Sequence, residues 1–429
     1  MIADTLPPEW STSTLRELHA GCVDSLNPGD YPAEAFEYYS IPAYQAGGNP
    51  QVVCGRDILS QKLLIPHQCL LFGKLNPRVE KVWNVESSSN LRRLASTEWL
   101  PIVPTGDLDK YFGYYLLWSE WVLPIAQRLV SGSTPSRQRV EPASFYNIQV
   151  PLPPIEEQRS IGDLLGRVDA AISAQDTSIA VTHDSKRAAM QALFTRGLRG
   201  EAQKETEIGP VPESWLVESL GAHHSVVSGG TPSRTNPAYW QGGSIPWIKT
   251  AEVDYRVITE TEEHITPVGL NGSAAKLLSP GTLILAMYGQ GATRARVAIL
   301  GIEAACNQAC AAMNPTDGAV DTKYLYHYLT YRYHTIRQMA HGGQQQNLNL
   351  DIVRDVPVAF SLDKIEQREI VAILDAIDRK IDLHRRKREV LNDLFKTLLH
   401  KLMTGEIRVS DLDLSALERT QIVPAAARA

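Results

Sequence analysis

The strongest constraint on this chain is a stretch that occurs twice. Residues 155–199 lie over residues 364–408 without a gap, at a constant offset of 209. Glu157-Gln158-Arg159 falls on Glu366-Gln367-Arg368, Asp169 falls on Asp378, and Leu193, Thr195 and Arg199 fall on Leu402, Thr404 and Arg408. In the second copy Ile370, Leu374, Ile377, Ile381, Leu391, Phe395, Leu398 and Leu402 recur at spacings of four and three, with His384 and Arg388 as the polar members. In the first, Ile161, Leu165, Val168, Ile172, Ile179, Ala189 and Leu193 take matching positions, with Gln175, Thr182 and Lys186 polar. Apolar residues every three and four places form one stripe on a helix. About forty residues at a rise of about 1.5 Å make a rod of roughly 60 Å. The rod is too charged to cross a membrane. Two rods bearing matched stripes bury them best against each other. The alternative is that each packs on a separate core.

Around the rods the chain reads as alternating segments. PPEWSTSTL opens the first segment and VPESWLVESL the second, so Trp10 precedes Leu15 as Trp215 precedes Leu220. The expected organisation is a globular domain over 1–150, a long helix over 151–200, linker and second globular domain over 201–360, a second long helix over 361–408, and a tail over 409–429. Both globular segments mix short apolar runs with turn residues. Residues 51–53, 62–65 and 80–85 read as strands in the first, and 245–248 and 282–287 in the second. A helix is expected late in each, over 107–130 and 321–339. The fold class is therefore α+β: two globular domains separated by two long coiled-coil helices. Pro151-Leu152-Pro153-Pro154 reads as a stiff connector, and 197–212 as a polar linker.

Composition excludes several classes. The chain has 429 residues, enough for two to four units. No apolar run reaches membrane-spanning length. The N-terminus lacks the basic and apolar regions of a signal peptide, so a cytoplasmic protein is expected. Five scattered cysteines argue against a disulfide framework, and no second pair stands at zinc spacing beside Cys306 and Cys310, so no metal site is expected. A net charge of −6 weighs against indiscriminate polyanion binding, though not against a local basic surface.

Enzyme motifs are missing. There is no phosphate-binding GxxxxGK[ST] loop, and Gly289-Gln290-Gly291 lacks the third glycine of a dinucleotide loop. No catalytic residue is assigned. Loops rich in small, polar and basic residues stand out instead. Glycine lets backbone approach a ligand closely; Arg addresses guanine edges, Gln and Asn address adenine edges, and Lys, Ser and Thr hold phosphates. In the second domain the candidates are Arg234 and Lys249, then Arg294 and Arg296, then Gln344, Gln345 and Asn347. In the first they are Gln45, Lys74, Arg78, Arg93, Thr97 and Arg137. Ordinary solvated loops are the competing reading.

This order of parts resembles the specificity subunit of type I restriction–modification systems over nearly the whole chain. The resemblance rests on two unlike domains alternating with two repeated helices, and on the helix entrance PLPPIEEQ with its partner at 364–367. It rests also on GGTPSRTNPAYW, IPWIKTAEV and YGQGATRARVAILGIEAACNQA in the second domain. The first domain contributes YYSIPAYQAGG, LLFGKLNPRVEKVW and LASTEWLPI. The resemblance implies a non-catalytic subunit in which each domain reads one half of a bipartite, asymmetric DNA target. It implies that the helices pair antiparallel as a coiled coil, set the distance between halves, and dock methylation subunits, two of them, with restriction subunits joining the complex. S-adenosylmethionine, ATP and magnesium are then expected in the partners and no cofactor in this chain. A ruler of fixed length agrees with readers of major grooves about one turn (~34 Å) apart. Two other readings stay open: a self-contained DNA methyltransferase or nuclease with unfamiliar motifs, and a coiled-coil adaptor that binds only proteins.

Overall fold

The computed structural model describes residues 6–21, 23–87, 89–132, 134–289, 291–339 and 347–414. The chain is α+β and divides into two compact units. One comprises residues 1–177 with 385–429, and the other residues 178–384. The repeated stretches are single helices, Ile155–Arg196 and Lys364–Thr404, and each contributes one part to each unit. All ten positions of each apolar stripe are buried or half-buried. Both helices stop where the chain turns left-handed at a glycine, Gly197 at φ +60° and Gly405 at φ +72°, a conformation that costs any other residue about 1 kcal/mol.

In the first unit the opening turns of Ile155–Arg196 run antiparallel to the closing turns of Lys364–Thr404. Ile161, Leu165 and Val168 share a core with Leu398 and Leu402, and Ile172 and Phe395 pack at its margin. Asp176 meets Arg388 at 2.8 Å, so one polar member of the stripe has an ion partner. The globular part has a five-stranded sheet in the order Ser25–Leu26, Lys62–Ile65, Arg92–Ala95, Ala35–Tyr39, Gln51–Cys54. A three-stranded sheet places Cys69–Gly73 between Val82–Val85 and Trp99–Ile102.

The second unit repeats the plan with different wiring. Ile370 and Leu374 share a core with Met190, Leu193 and Phe194, and Ile377 packs against it. Lys186, another polar member of the stripe, is bound to both oxygens of Asp378 at 2.5 and 2.7 Å. Ile381 is buried and Leu391, in the first unit, is half-buried. The five-stranded sheet runs His224–Ser228, Cys310–Pro315, Leu283–Ala286, Val297–Leu300, Val257–Ile258. The three-stranded sheet places Ile245–Ile248 between Glu263–Ile265 and Ala305–Cys306.

Four expectations change. The helix read over 107–130 is two, Lys110–Trp118 and Leu123–Arg128, because Ser119 turns extended and its hydroxyl donates to the Leu116 carbonyl. The helix over 321–339 likewise breaks at Arg332 into Thr322–Tyr331 and Tyr333–Met339. The polar linker contains a hairpin, Gln203–Thr206 with Gly209–Pro212. Pro151 and Leu152 are not a free connector: Gln149–Leu152 is a strand paired antiparallel with Ser11–Thr14. Its counterpart is Pro357–Phe360 paired with Leu216–Ser219. Proline is tolerated in such two-stranded edges because its missing N–H points away from the partner. Each globular domain thus leaves and rejoins the chain through neighbouring strands.

The Glu-Gln pair at each helix entrance secures this closure. Glu157 accepts the Trp10 indole N–H at 3.0 Å, and Glu366 accepts that of Trp215 at 3.1 Å. Gln158 accepts from the Asp109 amide and donates to the carbonyls of Asp107 and Pro153, all at 2.9 Å. Gln367 does the same with the Asp321 amide at 2.8 Å and the carbonyls of Ala319 and Ser361 at 2.9 and 2.7 Å. Asp109 and Asp321 are themselves the caps of helices Lys110–Trp118 and Thr322–Tyr331. One buried glutamine therefore fastens each long helix to the late helix of its domain.

A histidine clamps the base of the second domain. His223 lies between Asp317 and Glu218 at 2.7 and 2.6 Å. Burial opposes its charge, but the two carboxylates outweigh burial and raise its pKa above the ordinary value. A raised folded pKa means stability that is complete below the unfolded value and is lost as pH climbs through the folded one. His223→Asn is expected to lower the melting temperature at pH 6, with most of that deficit gone at pH 9. A deficit independent of pH in scanning calorimetry would contradict the charged clamp.

Candidate nucleic-acid interface

In the second unit two of the candidate cations converge. Gly229 and Gly230 leave strand His224–Ser228 so close to other backbone that a Cβ would lie 2.1 Å from the Cys306 carbonyl oxygen and 2.3 Å from the Ala274 carbonyl carbon. Only glycine fits there. The loop then lifts Arg234 over the face of Trp240, 3.7 Å from the ring centre, with Trp247 at 4.9 Å. The two indoles stand at 90° with centroids 5.1 Å apart. Their N–H groups are committed to the Ser233 and Gly230 carbonyls at 3.0 and 2.9 Å, which holds the platform rigid. Glu263 receives both Arg234 and, at 3.2 Å, Lys249; Lys249 also meets Glu262 at 2.6 Å. The Arg234 guanidinium, with Lys249, holds the Glu263 carboxyl below its ordinary pKa although partial burial pushes the other way. Arg234 is exposed and Lys249 half-buried. An exposed guanidinium stacked on an aromatic face and aimed by a carboxylate is well formed to meet a base edge or a phosphate.

A second loop, between strands Leu283–Ala286 and Val297–Leu300, carries Arg294 and Arg296. Arg296 pairs with Asp254 at 2.6 Å, and Arg294 is half-buried. Asn347 is exposed, and its neighbour Leu348 donates its amide to the Met287 carbonyl at 3.2 Å, which brings Asn347 to the start of this loop. Gln344 and Gln345 lie outside the described residues.

The first unit gathers its candidates less tightly. Gln45 ends the short helix Ile41–Gln45 and is exposed. Arg78 and Thr97 are exposed on turns, Arg137 is exposed in the turn Pro135–Arg137, and Lys74 is half-buried. Arg93 is placed differently from its expectation as a surface reader. It is buried on strand Arg92–Ala95, lies 3.4 Å from Glu37, and donates to the Ser89 carbonyl at 2.6 Å. Its charge is used inside the sheet.

Trp240, Trp247 and Glu263 were not among the candidates. The signal for them is the Trp that closes GGTPSRTNPAYW. Their role follows from strand pairing of Glu263–Ile265 with Ile245–Ile248, which no local pattern shows. Cys306 and Cys310 are buried free thiols, and a hydrogen bond with Cys306, followed by burial, pushes the Cys310 thiol well up. Among the described residues no group of three or more His, Cys, Asp or Glu could hold a metal ion, and no helix is long and apolar enough to cross a membrane.

Residues 212–393 match the family described as type I restriction modification DNA specificity domain. A putative type I restriction enzyme MjaX specificity subunit of Methanocaldococcus jannaschii is 24% identical over 288 residues, 66% of this chain and 64% of its own. The MjaVIII specificity subunit of the same organism is 25% identical over 282 residues, 64% of this chain and 65% of its own. The chain thus spans just under two thirds of these curated relatives. The Escherichia coli EcoR124I/EcoR124II specificity subunit is 26% identical over 41% of this chain and 47% of its own. Among solved structures, a chain from work on complex assembly and conformational transition of the type I R-M system superposes with TM-score 0.60 at 20% identity, covering 94% of this chain and 99% of that one. The type I restriction-modification S subunit from M. genitalium superposes with TM-score 0.58 at 15% identity, covering 93% and 97%. These two likenesses establish the fold.

Proposed function

We propose, from the match of residues 212–393 to the type I restriction modification DNA specificity domain, that this chain is the sequence-reading subunit of a type I restriction–modification complex. It performs no chemistry itself. Each globular domain addresses one half of a two-part DNA target, and because the domains differ in wiring the halves differ in sequence. Methylation subunits, two per complex, and restriction subunits supply catalysis with S-adenosylmethionine, ATP and magnesium. The observation that carries the reading is the family match over the second domain, repeated architecturally in the first by the same Trp, Glu and Gln closure. An acidic chain suits this role, since base edges supply choice while basic partners supply phosphate affinity.

The test is sequencing of modified bases in cells that express the chain with its partner subunits, against cells without it. Modification confined to one bipartite, asymmetric motif is expected. No change in modification between the two would refute the reading. Within that assay Arg234→Ala is expected to relax discrimination in one half of the motif by roughly tenfold, the weight of one good base contact. The other half should be unaffected. Equal relaxation in both halves would remove Arg234 from the reading surface.

A further inference from the structure

One residue of loop 288–296 and one packed beside it depart from ordinary backbone. Ala295 is left-handed at φ +71° and fully buried, and Tyr255, whose amide donates to the Val297 carbonyl at 2.9 Å, is left-handed at φ +49°. Such conformations persist only where surrounding structure enforces them. The enforcing element is the short helix Tyr333–Met339. Arg337 donates to the Arg294 carbonyl at 3.1 Å, to the Gly291 carbonyl at 2.8 Å and to the Tyr333 hydroxyl at 2.9 Å. Tyr333 in turn donates to the Ala292 carbonyl at 2.6 Å. Three loop carbonyls are thereby held from one helix face. The same side chains continue a stack: Arg337 lies 5.3 Å from the Tyr333 ring, Tyr333 is 6.1 Å from Tyr255, and Arg296 lies 5.7 Å from Tyr255. Asp254 secures the far end through Arg296.

Resting on the DNA-reading function above, we propose that Arg337 and Tyr333 are positioning residues that set which bases loop 288–296 accepts. All of Arg337's hydrogen bonds described above go to the loop backbone and to Tyr333. It acts by fixing the backbone from which Arg294 and Arg296 extend. Backbone displacement of even an ångström at a bidentate contact forfeits its geometry.

The experiment uses the full chain with its partner subunits and reads three quantities: discrimination at each motif position, the slope of log affinity against log salt, and melting temperature. Arg337→Ala is expected to lower discrimination in one half-site about tenfold, the scale of one base contact. The salt slope should stay at the wild-type value, because a residue that touches no phosphate releases no counterion. Tyr333→Phe keeps the ring stack and removes only the hydroxyl. It should show a smaller loss at the same positions, and it serves as the reading if Arg337→Ala fails to fold. Unchanged discrimination in folded variants overturns the proposal, and so does a salt slope reduced by about one, which would make Arg337 a direct phosphate contact. If the wild-type complex itself shows no sequence preference, the DNA-reading function fails instead.

Discussion

Replacing Gln367 with leucine should destabilise the second unit by about 3–5 kcal/mol, from roughly 1–3 kcal/mol for each polar group left buried without a partner. Gln367 is fully buried, and its amide joins three backbone groups from two segments: the Asp321 amide and the carbonyls of Ala319 and Ser361. Leucine fits the volume but satisfies none of them; the Ala319 carbonyl keeps the Lys364 ammonium, while the Asp321 amide and the Ser361 carbonyl lose the glutamine. The low local dielectric that strengthens these bonds makes their loss expensive. Gln158→Leu should do the same to the first unit, where the bonds are closely matched in length. Hydrogen exchange separates the two: the Asp321 amide should lose protection in one variant and the Asp109 amide in the other. Equal protection in both variants and wild type would show that water or a shifted main chain replaces the glutamine at little cost.

Asp169→Asn and Asp378→Asn should act with opposite signs although the two aspartates are equivalent positions of the repeat. Asp378 receives the buried ammonium of Lys186, so neutralising it strands a cation. The expected loss is about 2 kcal/mol, below the usual figure for a broken buried pair because Asp378 is partly open to solvent. The residue that matches Lys186 in the other copy is Phe395, which meets Tyr115 edge-on at 5.8 Å. Among the described residues Asp169 has no ion-pair partner, and burial raises its pKa. Asparagine there removes an uncompensated charge and should stabilise by about 1 kcal/mol. Denaturant midpoints measured at pH 7 check both. Losses of similar size in both variants would refute the asymmetry.

The long helices were legible because a stripe of twenty positions at regular spacing leaves few alternatives. The strands at 62–65 and 245–248 were legible too, as short apolar runs between turns. Features that depend on distant partners were not. The hairpin at 203–212 turns through Glu207-Ile208, which carries none of the usual turn chemistry, with the left-handed residue arriving at Gly209. Glu-Gln was visible as a repeated pair, but its targets lie some fifty residues upstream for glutamine and about 150 for glutamate. Among the candidate cations the local pattern could not rank burial. Arg92 and Arg93 are neighbours in one strand, and pairing with Ala35–Tyr39 decides that Arg93 points inward to Glu37. Equally, the carboxylate that brings Arg234 and Lys249 together comes from a strand fourteen residues beyond Lys249.

The adjoining strands at the foot of each globular domain, Ser11–Thr14 with Gln149–Leu152 and Leu216–Ser219 with Pro357–Phe360, have an evolutionary corollary. A gene exchange whose breakpoints fall within such a strand pair swaps one complete globular domain for another and leaves the helices untouched. On the function proposed above, new DNA preferences arise by trading whole cassettes rather than by accumulating substitutions.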